Sequence, residues 1–120
     1  MARILLFGLE VGVAEELSNA LRQVGEDSQT AMPTPETIEQ GQFDLVFAPA
    51  GHLASLQEGC PGVPVVVVSR VPEVSAWLEA LENGAADYCG APFEARQVRW
   101  LLHSAMKQAQ LTLAHRMAAA

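Results

Sequence analysis

Lysine occurs once in this chain of 120 residues, aspartate three times and cysteine twice. The lysine is Lys107, and the aspartates are Asp27, Asp44 and Asp87. Cys60 and Cys89 form neither a CxxC pair nor a disulfide framework. Cys60 is expected to precede a strand and Cys89 to end one, on the order of 20 Å apart at ~3.3 Å per residue. No bridge is expected between them, and reduced thiols fit a reducing compartment. No apolar run approaches the roughly 18 residues that a membrane span needs. The opening Met1-Ala-Arg-Ile-Leu-Leu-Phe-Gly8, soon followed by Glu10, is too short for a signal-peptide core and has no cleavage site. A cytoplasmic protein with no membrane partner is expected. The chain also lacks a Gly-rich phosphate loop and any Ser-His-Asp or Cys-His set at plausible positions. His52, His103 and His115 are too scattered for a metal site. No enzyme activity, metal or cofactor is expected.

What is present is apolar. Half of the residues are hydrophobic, enough for a core, and the length corresponds to one domain. The net charge of -7 is unevenly spread. All 14 acids lie in residues 1–94, with only Arg3, Arg22 and Arg70 against them. Residues 95–120 carry Arg96, Arg99, Lys107 and Arg116 and no acid. An acidic body argues against direct nucleic-acid binding, and the basic end reads as a solvated face or a protein contact.

The organising stretch is Phe43-Asp-Leu-Val-Phe-Ala-Pro-Ala50, a strand with almost no polar alternation, as in a parallel sheet covered on both faces. Arg3–Phe7 is a first buried strand, and Gly8 permits a sharp exit. Val13, Leu17, Ala20, Leu21 and Val24 recur at helical spacing, and Gly25 closes that helix. Asp27–Ala31 is a weak second strand. Thr34-Pro35 opens a short helix ending at Gly41. His52–Glu58 has room for two helical turns, terminated by Gly59-Cys-Pro-Gly62. Val63–Ser69 is a β-branched strand. A helix follows with Val74, Trp77, Leu78 and Leu81 on one stripe, and core packing is expected for Trp77. Ala86–Cys89 is a short strand. A long helix runs from Phe93 to about Gln110, with Val98, Leu102, Ala105 and Ala109 inward. Strands alternating with helices make a doubly wound α/β fold. Five strands and five helices fit the flavodoxin-like order 2-1-3-4-5. Residues 1–110 form the domain; residues 111–120 extend the last helix or serve as linker or tail.

These pieces resemble the receiver domain of two-component response regulators over essentially residues 2–108. The resemblance rests on Phe43-Asp-Leu-Val-Phe47, Pro64-Val-Val-Val-Val-Ser69, Ala80-Leu-Glu-Asn-Gly-Ala-Ala-Asp-Tyr88 and Ala91-Pro-Phe93, in order and spacing. The family's chemistry needs an acidic pair for Mg²⁺, a phospho-acceptor Asp after the third strand, a hydroxyl after the fourth and a Lys after the fifth. The resemblance places the acidic pair on Gly8 and Leu9, the acceptor on Pro49, the hydroxyl on Ser69 and the Lys on Ala91. The switch aromatic falls on Tyr88. Only Ser69 and Tyr88 are retained. The three aspartates precede or open strands, at the opposite edge of the sheet. The carboxyl edge then offers one acid, Glu10, and one base, Arg70. Mg²⁺ binding is expected to be weak or absent. The short span from Pro49 to Ser69 implies a shortened or absent third helix, and the resemblance implies a cis Ala91-Pro92 bond.

The resemblance thus implies a degenerate receiver, a pseudo-receiver in bacterial phosphorelay-type signal transduction that is not controlled by aspartyl phosphorylation. It would act as a protein–protein interaction or dimerisation module, as in the regulatory part of a transcription regulator. The resemblance implies that the fourth helix, fifth strand and last helix form the usual output and dimer surface. Counting about 100° per residue from Val98 places Trp100 outward with His103 and Lys107, near Arg96 and Arg99, as a candidate interface with a protein partner or a second copy. The alternative is a sensor of small anions at the carboxyl edge, using Glu10, Ser69 and Arg70. Against it, Glu10 also reads as a solvated acid beside a helix N-terminus, and Ser69 as a strand-end hydroxyl capping the helix that follows.

Overall fold

A computed structural model describes residues 3–31, 43–59, 62–71, 73–105 and 107. The strands are β1 (Ile4–Phe7), β2 (Ser28–Ala31), β3 (Leu45–Ala48), β4 (Val65–Ser69) and β5 (Asp87–Gly90). They form one parallel sheet in the order β2-β1-β3-β4-β5, as the alternation of elements predicts. Ile4 pairs with Ser28 on one side and with Leu45 on the other, and Val67 pairs with Ala48 and Tyr88. The helices are Val11–Gln23, Leu53–Gly59 and Val74–Glu82, with a last helix over residues 95–105. The helix expected from Thr34-Pro35, Cys60 and the segment beyond residue 107 lie outside the described residues. The third helix of the family pattern is shortened: one turn of 3₁₀ helix, Ala50–His52, leads into the seven residues of Leu53–Gly59.

The sheet is covered on both faces, and the two-residue period of a strand sorts its side chains between them. Ile4, Leu6, Leu45, Phe47, Val66, Val68 and Cys89 meet Val13, Leu17, Leu21, Val98, Leu101 and Ala105 on one face. Leu5, Phe7, Val46, Ala48, Val65 and Val67 meet Leu53, Leu56 and Ala80 on the other. All the residues of β1 and β3 are buried, which is why neither strand shows polar alternation. The Phe7 ring meets His52 edge-on at 5.4 Å, tying the 3₁₀ turn to the carboxyl end of β1.

Two expectations fail here. The stripe Val74, Trp77, Leu78 and Leu81 does not enter the core: these residues are 71%, 41%, 48% and 37% exposed. The 74–82 helix buries only Ala80 and packs through its small side chains instead. Sequence periodicity locates an apolar face; which side of the helix meets the sheet is set by how closely the backbone must approach. In the last helix Leu101, not Leu102, is fully inward, and Leu102 only flanks the core.

Both the 11–23 and 74–82 helices end in the same way. Glu26 N–H donates to Leu21 O (3.0 Å) past Gly25 at φ 84°, and Ala85 N–H donates to Ala80 O (3.0 Å) past Gly84 at φ 94°. Gln57 Nε2 adds a hydrogen bond of 2.8 Å to Asn83 O, joining the short 53–59 helix to the end of the 74–82 helix. Gly84→Ala is expected to lower unfolding stability by roughly 1–2 kcal/mol, because an L side chain is forced to positive φ; urea denaturation followed by circular dichroism measures it.

Candidate functional site

In a doubly wound sheet, ligands and chemistry gather where the strands end, because the loops converge there and no helix covers them. Here β1 exits through Gly8, at φ 68°, and the half-buried Leu9 into Glu10, the residue before the 11–23 helix. β3 exits into Pro49, β4 ends at Ser69 followed by Arg70, and β5 exits into Ala91, whose N–H donates to Ser69 O (3.1 Å). Gly8, Leu9, Pro49, Ser69 and Ala91 therefore share this one edge, as the strand pattern predicts. The Ala91-Pro92 peptide bond is cis.

The charges at this edge engage one another. Arg70 Nη2 lies 3.3 Å from Glu10 Oε2, and both side chains are exposed. The Arg70 guanidinium passes over the first turn of the 11–23 helix, at a distance of 3.7 Å that would be ordinary contact for a Cβ at Gly12. The Ser69 hydroxyl donates to Val71 O (3.0 Å) and accepts from Val71 N–H (3.2 Å). It closes a turn local to β4 rather than capping the following helix, which begins after Glu73 with no side-chain cap. Pro49 contributes no polar side chain. The edge carries more acid than the sequence reading allowed: Glu73 and Glu94 also precede helices on this side of the sheet, and both are exposed. Strand-by-strand reading missed them because they belong to the helix starts. Among the described residues no group of His, Cys, Asp and Glu is placed to hold a metal ion.

The aspartates lie at the opposite edge, as their positions before the strands imply. Asp44 Oδ2 accepts from Arg3 N–H (2.8 Å), and Asp87 Oδ1 accepts from Tyr88 N–H (2.8 Å). Arg3 also stacks over Phe43, its guanidinium carbon 5.6 Å from the ring centre. These two residues, with Ile4, Asp27, Ser28 and Gln29, line an open cavity of about 170 Å³ that the sequence reading did not anticipate.

Tyr88 is half-buried against the second face of the sheet, and its hydroxyl is buried without a hydrogen-bond partner among the described residues. The Ser69 hydroxyl is committed elsewhere, so the two retained members of the family pattern are not joined to each other. On the last helix Arg96, Arg99, Trp100, His103 and Lys107 are all exposed, opposite the buried Val98, Leu101 and Ala105. Trp100 is 67% exposed, as the helical count predicts. No helix among the described residues is long and apolar enough to cross a membrane.

This architecture is the receiver fold, and known structures share it. The NtrX protein of Brucella abortus superposes with a TM-score of 0.83 over 98% of this chain at 22% identity. A CheY-like response regulator receiver domain protein from Methanospirillum hungatei gives a TM-score of 0.75 over 93% of this chain and 98% of its own, at 16% identity. A response regulator from Burkholderia pseudomallei, solved with a phosphorylated aspartic acid, a calcium ion and citrate, gives 0.70 over 97% of this chain and 73% of its own, at 15% identity. The chain spans 29% of the length of NtrX. It matches no protein-family profile and no curated protein sequence.

Cys89 lies within β5 with its thiol fully buried. Burial, reinforced by the Asp87 carboxylate, pushes the thiol pKa from 9.0 up to about 12. Above pH 9 the unfolded chain releases a proton that the folded chain retains, so stability is full below pH 9 and falls as pH rises toward 12. The expected slope is at most about 1.4 kcal/mol per pH unit. Denaturation midpoints of wild type and Cys89→Ala at pH 8 and pH 10.5 test this, with the larger pH loss expected in the wild type. The exposed Glu10–Arg70 pair is expected to matter little: Glu10→Ala should change unfolding stability by less than about 1 kcal/mol.

Proposed function

We propose that this chain is a receiver-fold regulatory domain in phosphorelay-type signal transduction whose output does not run through an aspartyl phosphate. It acts by protein–protein contact, without enzymatic activity and without a resident Mg²⁺, as the regulatory part of a cytoplasmic transcription regulator. The contact face is the 74–82 helix, β5 and the last helix, with Arg96, Arg99, Trp100, His103 and Lys107 as its candidate residues and a protein partner or a second copy bound to it. DNA contact is left to other parts of such a regulator.

The observation that carries the reading is Pro49. It directly follows β3, where the sheet's carboxyl edge would need a nucleophilic carboxylate, and it has none to offer. An acyl phosphate forms by attack of a carboxylate oxygen on phosphorus, with the leaving group departing in line. Glu10, the carboxylate that follows the exit of β1, is paired with Arg70. The clamp fails as well, since Ala91 supplies no cation and the Ser69 hydroxyl is held by Val71. The large apolar side chains that face solvent supply the second half of the reading, because surfaces of this kind mark interaction sites. The alternative, an anion sensor at Glu10, Ser69 and Arg70, has less support: two of its three side chains are engaged with each other and the third with backbone.

The test is intact-mass spectrometry after incubation with acetyl phosphate and Mg²⁺, beside a phosphorylatable receiver as control. No phosphoryl adduct is expected on this chain. An adduct that disappears on Glu10→Ala would overturn the reading.

A further inference from the structure

The cavity at the amino edge of the sheet lies where β1, β2 and β3 begin. Ile4 pairs with Ser28 in β2 and with Leu45 in β3. The residues just before these, Arg3, Asp27 and Asp44, therefore come side by side, at the roughly 4.8 Å spacing of neighbouring strands. Arg3 and Asp27 line the cavity together with Ile4, Ser28, Gln29 and Phe43. Asp44 is not in its wall; its Oδ2 accepts from the Arg3 N–H.

The lining residues bring different chemistries to one space. The Arg3 guanidinium stands over the Phe43 ring, 5.6 Å from its centre, so a flat platform fixes where it sits. A guanidinium presents five N–H donors in a rigid fork that matches a carboxylate. Asp27 and Gln29 are exposed, and the amide of Gln29 both donates and accepts. The half-buried Ser28 hydroxyl reaches Ser18 Oγ only at 3.4 Å, a long contact. Ile4 and Phe43 add apolar wall. The volume of about 170 Å³ is slightly larger than the ~150 Å³ that holds a benzene molecule. It is well below the ~300–1,000 Å³ of sites for larger ligands.

We infer that this cavity binds a small zwitterion of the α-amino acid class, its carboxylate on Arg3 and its ammonium on Asp27. A simple anion would meet Arg3 and be repelled by Asp27; a simple cation would meet the reverse. A molecule that carries both charges a few bonds apart is complementary to both residues at once. Gln29 and the Ser28 hydroxyl suit either end of it. The apolar wall of Ile4 and Phe43 takes a short side chain, and the volume admits a single amino acid but not a nucleotide. The inference is independent of the proposed function, because Pro49, Ser69 and Ala91 stand at the opposite edge of the sheet.

NMR titration of the ¹⁵N-labelled chain tests it, with L-serine, L-valine and L-phenylalanine as a size series. Acetate and methylammonium serve as the two halves of the ligand. At least one amino acid is expected to shift the amides of Ile4, Asp27, Ser28, Gln29 and Phe43, saturating below about 10 mM. Asp27→Asn is expected to weaken that binding at least about tenfold, as loss of a charged hydrogen-bond partner does, and Gln29→Ala by a smaller factor. Both positions are exposed, and the dispersion of each spectrum reports that the variant is folded. No saturable shift with any of the three amino acids overturns the inference. So does an affinity unchanged in both variants, or acetate or methylammonium binding as tightly as the amino acids. Shifts confined to Gly8, Glu10, Ser69 and Arg70 overturn it too, and favour a sensor at the carboxyl edge. None of these outcomes bears on whether a phosphoryl adduct forms, so failure here and failure of the proposed function are distinguishable.

Discussion

A parallel sheet has no water-facing side: each strand's neighbours are reached by crossovers, and the crossover helices must cover both faces. Nearly everything in this protein depends on that. β1, β3 and the first four residues of β4 are buried on both sides, so these segments carry side chains chosen for volume and not for chemistry. Phe7, Phe47, Leu17 and Leu21 are fully buried and account for much of the apolar surface removed from water. Polar side chains are left to the two edges and the outer faces of the helices. A functional site has to be sought there.

The two edges have different characters. At the amino edge Arg3 is tied to Asp44 and Phe43, and these contacts brace the starts of β1 and β3 against each other. At the carboxyl edge the only ion pair joins Glu10 to Arg70 across the exits of β1 and β4, among the described residues. An edge that handles a phosphoryl group keeps an excess of both signs in reserve, acid to bind the metal and base to hold oxygens. This one keeps neither in excess at its centre, where Gly8, Pro49 and Ala91 stand. The hydroxyl of Ser69 survives, but as a turn-forming group. The contacts of Ser69 are thus those of local structure.

The large exposed apolar side chains lie on the flank of the molecule. The 74–82 helix is held at its carboxyl end by the turn at Gly84 and by Gln57 from the shortened 53–59 helix. Held there, it seats Ala80 against the sheet and leaves Trp77 and Leu78 outside. Trp100 emerges on the other side of β5. A short helix that places its large apolar residues in solvent gains little from the hydrophobic effect by itself.

The strand order, the closing glycine at position 25, the placement of the three aspartates before or at the opening of strands and the outward Trp100 were all legible in the residues. The reason is physical: alternation of buried strands with 3.6-residue periodicity is a local property, and the handedness of crossovers leaves few ways to arrange it. The engagement of Ser69 with Val71, the approach of Arg70 over Gly12 and the cavity between Arg3 and Asp27 were not legible, because they depend on which loops the sheet brings side by side. The clearest divergence is Trp77. Its spacing with Val74, Leu78 and Leu81 establishes an apolar face from the sequence alone. Whether that face or the alanine face meets β4 and β5 is decided by the distance at which the helix docks. That distance is a property of the packed whole and has no local code.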